Sequence, residues 1–104
     1  MEVFQEGIGL VLSRWSALRT AVENEWGGPQ SHSKAQQLAA DIFSWFTQSN
    51  DQLYIDDLET LLNDATLSFN LVIQDGSVEE VAEKLMIMHE ECLSGNFESV
   101  ERLR

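Results

Sequence analysis

Hydrophobic side chains recur every three or four positions along most of the chain, the spacing that places them on one face of an α-helix. The first such run predicts a helix from Phe4 to Val22, which ends before the segment 26–29. That segment reads Trp-Gly-Gly-Pro, and two glycines followed by a proline do not continue a helix. The apolar face of this helix consists of Phe4, Ile8, Val11, Leu12, Trp15, Leu18 and Val22.

A second helix is predicted after this turn, with Ser31 or Ser33 as its N-cap. The polar stretch 49–51 ends it, and residues 53–55 then form a short extended linker. The apolar face of the second helix consists of Ala35, Leu38, Ala39, Ile42, Phe43, Trp45 and Phe46.

A third helix is predicted to begin at Asp56, because Glu59 follows at the spacing of a capping box. Its buried stripe consists of Leu58, Leu61, Leu62, Ala65, Phe69 and Val72.

Asp75 and Gly76 then form a turn, after which Ser77 and Glu80 form a second capping box and open a fourth helix. That helix buries Val78, Val81, Ala82, Leu85, Met88 and Cys92 and ends at Gly95. A last short helix over 97–103 is expected to bury Phe97, Val100 and Leu103.

No stretch alternates apolar and polar residues long enough to form a strand. The predicted fold class is therefore all-α, a single compact domain of about five helices over residues 1–104. Leu10, Leu67, Leu71 and Ile87 fall outside the apolar faces and are expected to be exposed.

Composition narrows the class of protein. With 43% hydrophobic residues among 104, the chain has enough apolar side chains to fold, unlike a disordered acidic tail. The acidic start of the chain does not resemble a signal peptide, and no apolar run approaches the length of a membrane span. The single cysteine, Cys92, excludes an internal disulfide and fits a reducing compartment.

The formal net charge of -12 indicates what kind of partner the chain binds. Nucleic acid is not expected, because phosphate binding requires clustered Lys and Arg. Residues 1–50 contain five acidic and three basic residues, whereas residues 51–104 contain thirteen and three. Such asymmetry favours a basic protein or peptide as the partner, and solubility alone is the alternative explanation.

The sequence gives little support for a catalytic site or a metal site. Glu79, Glu83 and Glu90 share one line of the fourth helix, where exposed carboxylates form a solvated face rather than an acid–base pair. His89 and Cys92 stand three residues apart, but two ligands do not make a zinc site, and a packed thiol beside a partly buried imidazole is favoured. Neither a metal nor a cofactor is expected.

Two surfaces are candidates for binding a partner. Trp26 ends a helix at the Gly-Gly-Pro turn, where it either packs over the helix end or serves as a partly exposed aromatic anchor. The outer face of the second helix carries short or uncharged side chains that would let another helix approach closely. This face consists of Gln36, Gln37, Ala40, Asp41 and Ser44.

The stretch from Trp15 to Pro29 resembles the WGG-domain family of pre-ribosomal-RNA-processing proteins. The run Ala-Val-Glu-Asn-x-Trp-Gly-Gly over 21–28 carries most of the likeness. The turn 75–77 and the apolar positions after it match a later part of the family pattern, so the likeness spans essentially all of residues 1–104. Some members continue into a long, very acidic tail, whereas this sequence stops at Arg104, so either it is truncated or this member lacks the tail.

This resemblance implies an escort chaperone and not an enzyme. Members of the family are thought to bind newly made small-subunit ribosomal protein number 26, a basic protein that contains zinc. They shield it, help to release it from its import receptor and deliver it to the nuclear pre-40S particle. The resemblance thus implies a location in nucleus and cytoplasm, and it assigns the zinc to the client.

Acidic residues of the two later helices are expected to steer such a client, with Trp26, Gly27, Gly28 and the second-helix face making the remaining contacts. The steering set consists of Asp56, Asp57, Glu59, Asp64, Glu79, Glu80 and Glu83, and the second-helix contacts are Gln36, Gln37 and Asp41. The alternative is a constitutive helical adaptor, which would hold one helix of a partner in a salt-insensitive complex.

Overall fold

The structure is a computed structural model that describes residues 2–48, 52–71, 73 and 75–104. Six helices lie within these residues. They are α1 (Glu2–Arg14), α2 (Ser16–Glu23), α3 (Ser31–Gln48), α4 (Ile55–Ser68), α5 (Ser77–Leu93) and α6 (Glu98–Leu103). Strands are absent from those residues, so the predicted all-α class is confirmed. The predicted ends at 49–51 and the burial of Val72 fall outside the described residues.

The first predicted helix is in fact two helices, and the prediction of one continuous helix was wrong. Trp15 interrupts it with an extended backbone (φ -78°, ψ 99°) and separates α1 from α2. Its side chain is only 5% exposed, and its indole N–H donates a hydrogen bond of 3.0 Å to the Ser77 hydroxyl. The break depends on this distant partner, since neither Gly nor Pro stands beside it in the sequence.

Helix α1 lies at the centre of the fold, packed against α2, α3, α5 and α6. Phe4 and Ile8 are fully buried on its inner face. Gly7 lies between them and allows a close approach of α5 and α6. A Cβ atom at Gly7 would stand 2.6 Å from Met88 Sδ and 2.9 Å from Val100 Cγ2, so no other residue fits without movement.

Aromatic rings join α1, α3 and α5. The Phe4 and Phe46 rings meet edge to face with centroids 5.0 Å apart, and the His89 imidazole lies 4.5 Å from Phe46. Burial lowers the pKa of His89 and raises the pKa of the Cys92 thiol. The expected packed thiol beside a partly buried imidazole is confirmed. The described residues contain no group of three metal-ligating side chains.

Neither predicted capping box is present. Helix α4 begins one residue early, after Tyr54, so that Asp56 lies in its first turn, where carboxylates favour the positive end of the helix dipole. Helix α5 begins after Gly76, whose φ of +81° suits glycine. The Asp75 carboxylate accepts a 3.0 Å hydrogen bond from the Ser77 N–H. The Ser77 hydroxyl does not cap the helix but accepts a hydrogen bond from the Trp15 indole N–H.

Burial differs from expectation at several positions outside the first helix pair. Phe97 stands before α6 and is 40% exposed, whereas Val100 is fully buried. Thr66, not expected in the core, is buried, and its hydroxyl is satisfied there by donating to the Asn63 carbonyl at 2.8 Å. Leu67 and Ile87 are exposed as expected, whereas Leu10 and Leu71 are half-buried. None of the described helices is long and apolar enough to cross a bilayer.

Two glycines of α1 give a matched test of this packing. We predict that Gly7→Ala destabilises the fold by about 1–3 kcal/mol through overpacking against Met88 and Val100. Gly9 has open space where its Cβ would stand, so Gly9→Ala should stabilise the fold by about 0.5–1 kcal/mol through helix propensity. Urea unfolding followed by circular dichroism measures both. Equal effects of the two substitutions would contradict the packing of α1.

Candidate functional site

The turn around Trp26 begins as the end of α2. Asn24 is the last residue near helical geometry, and Glu25 adopts a left-handed backbone with φ of +51°. The Trp26 N–H donates to the Ala21 carbonyl at 2.9 Å, and the Glu25 N–H donates to the Val22 carbonyl at 3.1 Å. This pair of bonds is a Schellman motif, which places the residue after the left-handed position over the end of its own helix.

Side chains from two other helices hold the Trp-Gly-Gly backbone in place. Asn70 donates to the Trp26 carbonyl at 2.7 Å, and the Ser31 hydroxyl donates to the Gly28 carbonyl at 2.8 Å. The Lys34 ammonium donates to the Gly27 carbonyl at 2.7 Å and also to the Ser68 carbonyl at 3.1 Å, at the end of α4. We call residues 26–28 with these three side chains the WGG corner. Three side-chain hydrogen bonds thus constrain its backbone.

The two glycines of the WGG corner serve the turn itself. Gly27 packs on Phe69, where a Cβ would stand 3.0 Å from the ring, and Gly28 has a φ of +96°. Ser31 was expected to cap α3 but is its first residue, with its hydroxyl turned back to the corner. The Trp26 side chain is 45% exposed, so it presents apolar surface to solvent beside the end of α2.

The outer face of α4 carries part of the predicted acidic set. Asp56, Asp57 and Asp64 are all exposed, and Asp57 and Asp64 stand two helical turns apart on one line. Leu67, 59% exposed, follows Asp64 at the next position of the same face. This α4 outer face runs from the start of the helix to the end that Lys34 and Asn70 join to the WGG corner.

Carboxylates in the first turns of α4 and α5 lie within electrostatic range of Glu59. Partial burial raises the pKa of Glu59, and the negative charges of Asp56 and Glu79 raise it further. We call these three residues the acidic cluster. Ion pairs among the described residues join Arg102 to Glu98 and Arg104 to Glu6 and involve none of the three. The cluster is therefore an uncompensated concentration of negative charge.

The remaining predicted acidic residues diverge from this cluster. Glu83 follows Glu79 by one turn of α5 and is exposed on the same line. Glu80 lies on the other flank of α5 and lines a groove between α1, α5 and α6. The structure thus places Asp56 and Glu79 within electrostatic range of Glu59 and places Glu80 elsewhere.

The second-helix face is exposed as the sequence suggested. Gln36, Gln37 and Asp41 all face solvent on α3, and the Gln37 amide donates to the Asp41 carboxylate at 2.9 Å. Gln36 also lines an apolar groove of about 350 Å³ against α1 and α2, which sequence reasoning missed. The other residues lining this groove are Gly9, Leu12, Ser13, Leu18, Arg19, Val22, Glu23, His32, Ala35 and Ala39.

Sequence reasoning also missed Lys34 and Asn70, the residues that fix the WGG corner. Lys34 stands in the first turn of α3, and Asn70 has a left-handed backbone with φ of +57° after α4. Asn adopts the left-handed conformation more readily than most residues, so an Asn directly after the apolar stripe of α4 could have indicated the turn at that position. No local pattern reveals that Lys34 reaches the end of α4.

Fold and surface together define an acidic all-α domain with a hydrogen-bonded Trp-Gly-Gly turn between α2 and α3. The model of the WGG family, described as Pre-rRNA-processing protein TSR2, matches residues 4–83. The chain belongs to this family, a group of pre-rRNA-processing factors.

Curated relatives agree with this assignment. The Pre-rRNA-processing protein TSR2 homolog of Homo sapiens is 36% identical over 87 residues, which are 83% of this chain and 45% of that protein. The homolog of Danio rerio is 33% identical over 95% of this chain and 55% of its own length. TSR2 of Saccharomyces cerevisiae is 31% identical over 96% and 49%. The chain thus spans about half the length of these relatives.

The hydrogen bonds of Lys34 give a test of the WGG corner. We predict that Lys34→Met, which keeps the apolar stem and removes both bonds, lowers the free energy of unfolding by about 1–3 kcal/mol. It should also shift and broaden the Trp26 resonance in ¹⁹F NMR of fluorotryptophan-labelled protein. The matched substitution Lys84→Met, on exposed α5 surface, should change neither. An unaltered Trp26 signal in Lys34→Met would show that the corner is not held by this ammonium.

The raised pKa of Glu59 gives a pH-dependent prediction. The folded state binds this proton more tightly than the unfolded state, so the ionised carboxylate costs stability as the pH rises through its folded pKa. Glu59→Gln should therefore raise the melting temperature at low salt, most at about pH 7 and less toward pH 5. Glu23→Gln removes one exposed carboxylate from α2 and is the control for the change in net charge. A gain that is the same at both pH values would argue against the acidic cluster.

Proposed function

We propose that the chain is an acidic escort for small-subunit ribosomal protein number 26. It binds the newly made protein, shields its basic surface, helps to release it from the import receptor and delivers it to pre-40S particles. Delivery of this protein then supports the rRNA processing for which the family is described. The observation that carries the proposal is the acidic cluster, where the charges of Asp56 and Glu79 act on Glu59 and none of the three forms an ion pair among the described residues.

Charge explains why such a client would bind. A ribosomal protein away from the ribosome exposes Lys and Arg side chains that normally contact RNA phosphates. The chain has a net charge of -12, ten units of which fall in residues 51–104 with α4, α5 and α6. The resulting negative potential would speed the encounter and suppress contacts with wrong partners.

The geometry of α4 suggests how steering and contact are combined. The acidic cluster lies at the start of α4. The WGG corner is hydrogen-bonded at the other end of that helix, where Lys34 donates to the Ser68 carbonyl and Asn70 donates to the Trp26 carbonyl. Twelve residues from Asp56 to Ser68 span roughly 18 Å of helix. A basic client lying along the α4 outer face would meet carboxylates at one end and the half-exposed Trp26 ring at the other.

Release requires no nucleotide hydrolysis in this scheme. Ribosomal RNA presents a denser line of negative charge than any protein surface, so it competes for the same basic side chains of the client. The escort then dissociates on the nascent particle. Its work is divided between cytoplasm and nucleus, and it is a binding protein without a catalytic role or resident metal.

Titration of the purified, zinc-loaded client tests the proposal. The dissociation constant should rise steeply with salt, and added ribosomal RNA should displace the chain. The triple variant Asp56→Asn, Glu59→Gln and Glu79→Gln should weaken binding about tenfold at low salt and flatten the salt dependence. The control variant Glu2→Gln, Glu23→Gln and Glu101→Gln removes the same total charge elsewhere and should weaken binding much less.

Two results would redirect the proposal. Equal losses in the two triple variants would mean that total charge, and not the acidic cluster, attracts the client. Tight binding that ignores both salt and RNA would favour the constitutive adaptor.

In the escort scheme Trp26→Ala weakens binding by a factor that does not change with salt, because the ring contributes apolar contact.

A further inference from the structure

A groove of about 430 Å³ lies between α1, α5 and α6, away from the α4 outer face and the WGG corner. Its apolar surface comes from all three helices and from the break between α1 and α2. The described apolar residues that line it are Val11, Trp15, Val81, Ile87, Met88 and Leu103. Ile87 is 47% exposed, so the groove offers an accessible apolar side chain as well as a buried floor.

The charge of the groove is opposite to that of the protein. Arg14, Lys84 and Arg102, half of the six basic residues in the chain, line it, and Glu80 is the one acidic side chain among its described lining residues. The lining side chains alone carry a formal charge of +2 in a chain of -12, and Glu98 and Glu91, which act on Arg102 from outside the lining, offset part of it. Half of the few basic side chains in the chain therefore lie around this one apolar groove.

Two of the three basic side chains are held in position. The Arg14 guanidinium donates a 2.6 Å hydrogen bond to the Leu103 carbonyl and so joins the end of α1 to the end of α6. Arg102 pairs with Glu98 across one turn of α6 at 2.8 Å, and both side chains are largely exposed. Lys84 makes no ion pair with the residues that the structure describes. The guanidinium groups retain further donors for an incoming carboxylate.

We infer that this groove binds a short acidic segment of a partner protein, with an apolar side chain on the floor and carboxylates at Arg14, Lys84 and Arg102. The charge complementarity selects the class of partner, since a basic segment would meet three like charges there. The apolar floor favours a peptide over RNA, because a nucleic acid backbone would gain nothing from Val81 and Ile87 and would be repelled by the acidic remainder of the protein.

This inference is independent of the proposed escort function and adds a second partner to it. The acidic cluster and the groove have opposite charges and lie on different surfaces, so a basic client and an acidic partner segment can be bound at the same time. Substitutions in the groove should therefore leave client binding unchanged, which separates failure of one proposal from failure of the other.

Fluorescence anisotropy with a synthetic probe tests the inference. The probe is a fluorescein-labelled peptide of sequence Asp-Leu-Glu-Asp-Phe-Glu-Asp-Leu, added to the whole chain at low salt. Three comparison ligands are the same peptide with Lys at every acidic position, a polyglutamate of equal length, and an oligouridylate of eight nucleotides. We expect saturable binding of the probe and weaker binding of polyglutamate, whereas the Lys peptide should bind at the acidic cluster and not be weakened by substitutions in the groove.

Charge-reversal variants locate the site. Lys84→Glu combined with Arg102→Glu should weaken probe binding at least about tenfold, and Lys84→Glu alone should weaken it by a smaller factor. Arg19→Glu reverses an exposed charge on α2 and should change the affinity less than about twofold. Ile87→Ser should weaken the probe but not polyglutamate. Thermal melts by circular dichroism show that each variant is folded.

Several outcomes would overturn the inference. The probe failing to bind, or binding equally to the parent chain and to the Lys84→Glu, Arg102→Glu variant, would remove the groove as its site. Loss of Lys-peptide binding in the same double variant would exclude charge recognition in the groove. Tighter binding of the oligouridylate with the same sensitivity to the double variant would make the groove a nucleic acid site instead.

Discussion

The packing of α1 against four other helices is the interaction on which the rest of this structure depends. Gly7 permits the closest part of that packing, where Met88 and Val100 occupy the space that any larger residue would need. A domain with a net charge of -12 repels itself, and burial of apolar surface around α1 offsets that repulsion. The core therefore allows carboxylates to remain unpaired on the surface, where they are available to a partner.

The surface separates charge by helix. The α4 outer face and the acidic cluster concentrate negative charge, while the groove between α1, α5 and α6 collects half of the basic side chains. The WGG corner joins α2, α3 and the end of α4 through Lys34, Ser31 and Asn70, and it holds Trp26 half-exposed at a fixed position. An aromatic side chain on a hydrogen-bonded turn, beside a helix that presents carboxylates, suits the proposed capture of a basic protein, because little backbone freedom is lost on binding.

The helical class, the buried stripes and most helix boundaries could be predicted from the sequence, since each depends on local periodicity and on turn residues such as Gly27 and Gly76. The break at Trp15 could not, because a hydrogen bond to Ser77, 62 residues away, stabilises it. The sequence likewise located acidic residues without showing which of them meet. Glu79 and Glu80 are neighbours in the chain, yet one approaches Glu59 and the other lines the oppositely charged groove. Such sorting depends on how α4 and α5 pack together.

The central claim is that a basic ribosomal protein is recognised along α4, from the acidic cluster to the WGG corner. NMR titration of the isotope-labelled chain with the zinc-loaded client tests this claim most directly. The account predicts that amide shifts concentrate at Asp56, Glu59 and Glu79 and at Trp26, and that they are small around Lys84 and Arg102. Shifts concentrated in the groove between α1, α5 and α6, with α4 unaffected, would contradict it.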